Sequence, residues 1–216
     1  MFYSQFGQDK FVVEHVFKGF AGGTFVDVGA HDGVTINNTL HLARELGWHG
    51  VNIEPLPDVF EKLQANRPND INLNIAIGSV DGEAEFIVNS GYTEMLSGLA
   101  ATYDARHHQR LENELVVMGG ASRRQMVQVR RLETVFDELK IDHVHYLSID
   151  VEGGEFEVIK SINFNKVIID LIAFENNYPD VGSEIITYLE YHGYQVIRNE
   201  ADVFMLLNIS QFTECA

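Results

Sequence analysis

Carboxylates recur in this sequence where apolar runs stop. Asp27 lies at the close of residues 25–28, Glu54 follows residues 51–53, Asp150 follows residues 144–149, and Glu175 follows residues 166–174. Glu152 comes two residues after Asp150, and Asn176 directly after Glu175. Such groups suit three kinds of chemistry. One carboxylate accepts two hydroxyl donors, as a ribose offers them. It can also take the proton of a reacting hydroxyl. Asp150, Glu175 and Asn176 carry oxygens of the kind Mg²⁺ accepts, and a metal there would position an acceptor and lower its hydroxyl pKa. A metal-free hydrogen-bond network fits the same residues. Carboxylates as close as Asp150 and Glu152 repel each other and raise a pKa unless a cation lies between them.

These side chains converge only if the elements bearing them are parallel strands. The sequence predicts that arrangement. Residues 25–28 form a strand that breaks into the loop Gly29-Ala-His-Asp-Gly33, with a polar helix start at Thr35-Ile-Asn-Asn-Thr39. Residues 51–53 form a second strand, and Leu56-Pro57 opens a helix through Asn66. Residues 71–77 read as a third strand. Asp81-Gly82 turns the chain into residues 83–88, antiparallel to what precedes them. Regular alternation returns with residues 126–129 and a helix over 132–139. The strand 144–149, the helix 155–161, the strand 166–174 and the helix 182–191 follow, and the strands 194–198 and 203–208 close the chain. The fold class is therefore α/β: a mostly parallel sheet with helices on both faces and a C-terminal antiparallel hairpin. Ligands in such sheets lie at the carboxyl ends of the strands, at the switch point of strand order. Residues 1–216 read as one domain. The segment 89–125 interrupts the rhythm, either as a lid or substrate-binding insertion or as a helical hairpin covering a sheet edge.

The glycine loop lets backbone N–H groups approach a ligand closely, and Glu54, about twenty residues on, occupies the position that reaches ribose hydroxyls. The cofactor-binding candidates are Asp27, Gly29, His31, Gly33, Asn38, Glu54, Ala76 and Asp150. The loop lacks the G-x-G-x-x-G spacing of dinucleotide binders, and no G-x-x-x-x-G-K-[ST] occurs. A carboxylate-lined site repels a pyrophosphate and welcomes a cationic sulfonium and amino group. Those cations belong to S-adenosylmethionine, which makes a methyltransferase the first reading. An NAD(P)-dependent oxidoreductase would use Glu54 equally well, but the sequence also lacks Tyr-x-x-x-Lys. A non-catalytic cofactor-binding module is the third reading, and Asp150, Glu152 and Glu175 beside an intact glycine loop argue against it.

Composition narrows the partners. The 216 residues carry a net charge of −17, from 32 acidic and 15 basic residues, which disfavours nucleic acid. The basic pairs Arg123-Arg124 and Arg130-Arg131 read as a solvated strand face. The single Cys215 excludes a disulfide framework and a cysteine zinc site. No apolar run approaches the ~18 residues of a membrane span, and the first ten residues do not read as a signal peptide, so a cytoplasmic protein is expected. Oligomeric state is not legible.

Several motifs together resemble one family. Asp27-Val-Gly-Ala-His-Asp-Gly33, Ile53-Glu-Pro55, Asn74-Ile-Ala-Ile-Gly78, Asp81-Gly82 and Ile149-Asp-Val-Glu-Gly153 are similar to those of the FkbM family of S-adenosylmethionine-dependent methyltransferases. Ser4-Gln-Phe-Gly-Gln-Asp9 and the run from Ser90-Gly-Tyr to Met95-Leu-Ser-Gly98 resemble one subgroup. His31 stands where the family often has Asn, and Asn74-Ile-Ala where Asn-Ala-Ala is common. The resemblance implies a Rossmann-like class I methyltransferase with a seven-stranded sheet whose last strand is inserted antiparallel. It also implies O-methylation of a hydroxyl on a sugar, glycan or natural product.

Within that frame Gly29 and Gly33 shape the loop against the methionine part of the cofactor, and Asn38 and Thr39 offer polar groups to its carboxylate. Asp27 holds the loop by accepting backbone N–H bonds. Glu54 clasps the ribose, and the stretch around Ala76 borders the adenine. The catalytic candidates are Asp150, Glu152, Glu175 and His107, the last as a general base or as surface decoration beside His108. Tyr92, Met95 and Tyr103 either line a sugar-binding lid or form its core. Gln5, Gln8 and Asp9 either bind a polyol or cap a helix, and His143 and His145 are structural.

Overall fold

In the computed structural model, residues 1–208 are described; Cys215 lies outside them. The chain opens with α1 (Gln8–Phe11), continued by a π-turn over Val12–Val16, and enters β1 (Thr24–Val28). Then follow α2 (Leu40–Leu46), β2 (His49–Ile53), α3 (Pro57–Asn66) and β3 (Ile71–Leu73). The chain next builds a separate layer from β4 (Ala76–Ile77), β5 (Gly82–Ser90), β6 (Gly98–Leu99), α4 (Ala105–Met118) and β7 (Ala121–Arg130). It returns through α5 (Leu132–Leu139), β8 (His143–Ile149), α6 (Glu155–Lys160), β9 (Ile168–Glu175) and α7 (Pro179–Tyr191), and closes with β10 (Tyr194–Asn199) and β11 (Asp202–Leu207).

The larger sheet has seven strands in the order β10-β11-β9-β8-β1-β2-β3. β1, β2, β3, β8 and β9 are parallel, whereas β11 runs antiparallel to both β9 and β10. This is the expected α/β sheet with its terminal hairpin. Alternation along β1 shows why both faces are covered. Phe25 packs with Val12, Leu42, Trp48 and Phe204 on one side, while Val26 and Val28 join Leu132, Val135, Val158 and Ile185 on the other. Each such side chain, fully buried, contributes roughly 1.5–3 kcal/mol. The order reverses between β1 and β8, so the switch point falls where the glycine loop leaves β1. Among the described residues, no helix is long and apolar enough to cross a membrane.

Three expectations are corrected. Residues 71–77 are two strands, because Asn74 Nδ2 donates to the carbonyls of Glu54 (2.9 Å) and Pro55 (3.0 Å) and pins the chain between the sheets. β5 pairs antiparallel with β7, which follows it, in register from Gly82 opposite Val129 to Ser90 opposite Ala121. Residues 89–125 therefore carry the end of β5, all of β6 and α4, and the start of β7, with the strands in a second sheet, β4-β7-β5-β6. Finally, the helix after the glycine loop begins at Leu40, since residues 35–39 fold beneath the loop instead. The basic pairs on β7 meet the chain's own acids: Arg124 with Glu85, Arg130 with Asp81 and Glu138, and Arg131 with Glu133.

Candidate active site

A cleft of about 1150 Å³, open solvent included, lies at the switch point. Asp27, Gly29, His31, Asn38, Glu54, Ala76, Asp150, Glu152 and Glu175 all line it. Its shape begins with Gly29. A Cβ there would lie 1.8 Å from the Asp150 carbonyl oxygen, and φ is +88°, so only glycine lets the loop rest on the end of β8. Gly33 (φ +75°) faces the other way: a Cβ on it would meet Leu63 and Arg67 at 2.6 Å. It closes the loop against α3 and does not line the cleft.

Asp27 is buried and accepts hydrogen bonds from Asn37 Nδ2 (2.9 Å) and Thr39 Oγ1 (2.9 Å), side chains rather than the backbone N–H groups expected. Thr39 is thereby drawn away from the cofactor role foreseen beside Asn38, whose Nδ2 donates to Ser148 Oγ at 3.1 Å. Behind them stands Arg67, also buried. Its Nη1 donates to Gly33 O (3.2 Å), Asn37 Oδ1 (3.2 Å) and Thr39 Oγ1 (3.3 Å), and its Nε to Asp70 Oδ2 (2.8 Å). Burial pushes the Asp27 carboxyl up, and Arg67 opposes it. The sequence reading missed Arg67 and Asn37, since a single arginine after a helix carries no spacing signal.

Glu54 is buried at the end of β2, with Oε1 accepting the Leu56 N–H at 2.8 Å. Burial pushes its carboxyl up to about 7. Beside it Leu56, Ala76, Ile77, Phe86 and Leu99 form an apolar wall. His31 adopts φ 49°; its ring nitrogens, without hydrogen-bond partners, lie 3.7 Å from Asp32 and 3.6 Å from Glu94. Ile36, at the rim, has φ 51°, a strained value for a β-branched residue.

The floor is acidic. One oxygen each from Asp150, Glu152 and Glu175 lies within 4.8 Å of the others. Solvent reaches Asp150 through the cleft although protein surrounds it. Burial first, and neighbouring carboxylates second, push Asp150, Glu152 and Glu175 upward, to about 7, 8 and 10. Glu152 sits at φ 56°, and its Oε2 has no hydrogen-bond partner. Among the described residues, no lysine or arginine lines the cleft.

Two expected members stand apart. Asn176, just past the end of β9, lines neither the cleft nor the cavity beside it. Its Nδ2 donates to Asn199 Oδ1 (3.3 Å), and its Oδ1 packs so tightly on Gly182 that a Cβ there would come within 2.1 Å. His107 is not surface decoration; it is fully buried in α4, whereas His108 is exposed. Its Nε2 lies 3.4 Å from Leu96 O and its Nδ1 3.9 Å from Glu152 Oε2, behind the cleft wall. Burial pushes the imidazole down. Its i, i+4 spacing to buried Leu111 is the signal that could have placed it.

Within residues 89–125, Met95 lines the cleft, Tyr92 is exposed, and Tyr103 is core, its hydroxyl bonded to Leu96 O. Of the N-terminal polar residues only Gln5 reaches the cleft. Gln8 donates to Asp202 (2.7 Å), and Asp9 accepts from Tyr3 and Lys10 backbone N–H groups (2.6 and 2.8 Å). A second cavity of about 500 Å³ adjoins the first, sharing Thr102 and Glu175 with it and bounded by Asp104, Tyr178 and α7.

A search of curated proteins gives no match. Among solved structures, the crystal structure of methyltransferase FkbM from Methylobacillus flagellatus KT is similar at a TM-score of 0.48 and 14% identity over 85% of this chain, which spans 43% of that protein's length. A family model, the methyltransferase FkbM domain, matches residues 27–196, from the end of β1 into β10. The chain belongs to the FkbM methyltransferase family.

Proposed function

We propose that this protein is an S-adenosylmethionine-dependent O-methyltransferase acting on a hydroxyl of a sugar, glycan or other natural product. The observation that carries this reading is a cleft lined by six carboxylates, Asp27, Glu54, Glu94, Asp150, Glu152 and Glu175, without one lysine or arginine among the described residues. A pyrophosphate finds no counter-charge there; a sulfonium and an ammonium do. Gly29 lets the loop rest on the end of β8 at the edge of the cleft. Glu54 has the acceptor oxygens for ribose hydroxyls, and Ala76 and Ile77 offer an apolar wall for a base. When bound, S-adenosylmethionine supplies an electrophilic methyl carbon.

The chain's own part is to orient the acceptor and receive its proton. Glu175 stands between the two cavities, where an incoming hydroxyl can donate to it. Glu152 would take the proton of the acceptor hydroxyl. A pKa raised to about 8 suits that task, because a base is most effective when its pKa lies near working pH. Mg²⁺ would take Asp150, Glu152 and Glu175, and a parallel assay with EDTA decides that point.

Thermal unfolding with S-adenosylmethionine, S-adenosylhomocysteine or NADH tests the reading. A ligand at ~100 times its Kd adds about 2.7 kcal/mol, raising Tm by roughly 5–10 °C. The two sulfur nucleosides should produce that shift and NADH should not. A shift with NADH alone sinks the proposal.

A further inference from the structure

At the opposite end of the sheet, His143, His145 and Asp170 bring two imidazoles and a carboxylate together. We propose that they form a binding site for a divalent transition-metal ion of the zinc type, separate from the cleft and independent of the methyl-transfer reading. His143 and His145, two apart on β8, share one side, with ring centroids 4.5 Å apart. Asp170 stands on the adjacent strand β9, and both its oxygens lie 3.0 Å from His143 Nε2. One nitrogen from each ring and one carboxylate oxygen lie within 4.8 Å of one another.

Tetrahedral ligands at 2.0–2.1 Å from zinc stand about 3.4 Å apart, so the set closes with a shift of roughly 1 Å. His143 and Asp170 have room to make it, being 42% and 25% exposed. The direct His143–Asp170 bond gives way as the ion enters between them. His145 is already fixed. Its Nδ1 accepts the Thr24 N–H at 3.1 Å and lies 2.9 Å from the Thr24 hydroxyl, and its ring packs against Phe17, Phe20 and Trp48. Three protein ligands leave one position for water. Imidazole nitrogen selects zinc, nickel or copper, in contrast to the all-oxygen floor of the cleft. The bound ion would staple β8 to β9.

Trp48 makes the test specific. It is the only tryptophan in the chain, and its ring centroid lies 5.6 Å from that of His145. The cleft acids lie beyond the far end of β8, about 20 Å along the strand. Untagged full-length protein is titrated with Ni²⁺ while Trp48 fluorescence is followed, and Zn²⁺ is then added as competitor. The expected result is saturable quenching at one ion per chain, reversed by Zn²⁺. H143A and D170N should each weaken the ion at least tenfold, while E152Q and E175Q leave it unchanged. Thermal unfolding without metal confirms that each variant is folded. No quenching, quenching undiminished in H143A, or quenching lost in E175Q overturns the proposal.

Discussion

The base of the glycine loop and the floor of the cleft bury the same kind of side chain under opposite conditions. Asp27 is enclosed by donors, Asn37 and Thr39, and feels the charge of Arg67. Asp150, Glu152 and Glu175 have chiefly one another; Asn177 donates to Glu175, and Arg110, from α4, pulls Glu152 the other way. A buried acid with partners is a bracket. Buried acids whose repulsion the fold leaves in place hold ready a site for something that arrives, a proton, a cation or a hydroxyl donor.

The contrast can be broken most forcefully at Asp27. Asp27→Ala strips the acceptor from the buried donors Asn37 and Thr39 and removes one of the two acids that offset Arg67, and should cost about 3–5 kcal/mol, lowering Tm by roughly 10 °C. A drop under 3 °C in thermal unfolding would mean that Asp27 is no bracket. On the floor the effects should fall on turnover instead. Glu152→Gln is expected to slow methyl transfer to a responsive acceptor at least ~100-fold, the scale of general-base loss, while Tm stays level or rises. Equal rates in both proteins would remove Glu152 from proton transfer.

A smaller effect appears in the pH dependence of stability. Folded-state pKa values raised to about 8 for Glu152 and 10 for Glu175 mean that the folded protein keeps protons the unfolded chain has released. Stability that is complete below the ordinary carboxylate range is therefore lost as pH rises through these values. Tm should fall between pH 7 and 9, and Glu175→Gln should flatten that slope. A Tm rising over the window contradicts the assignment. The smallest expected effect is backbone relief: Glu152→Gly should exceed Glu152→Gln in stability by about 0.5–1 kcal/mol, since glycine tolerates φ 56°.

The sequence made the larger sheet legible because its signals are local. Each parallel strand is a short apolar run with a breaker after it, and the glycine loop, Glu54 and Asp150 sit at fixed offsets from those breaks. The second sheet was hidden because β5 finds its partner in β7, with Gly82 opposite Val129, and no short window contains both. Asn176 was misplaced because a place next to Glu175 in the sequence was read as a place in the site. His107 was underrated because composition, rather than its helical spacing to Leu111, was used to judge α4. Arg67 acts through four partners from three segments, a relation that exists only in the folded chain.

Glu175 and Thr102 belong to the walls of both cavities. A methyl donor in the larger cavity and an acceptor in the smaller one would meet at that partition while each kept its own door. Neither reactant need wait for the other to enter, and neither product need block the other's exit. Initial-rate kinetics should then show intersecting lines for a ternary complex of random order, with S-adenosylhomocysteine competing against the donor alone.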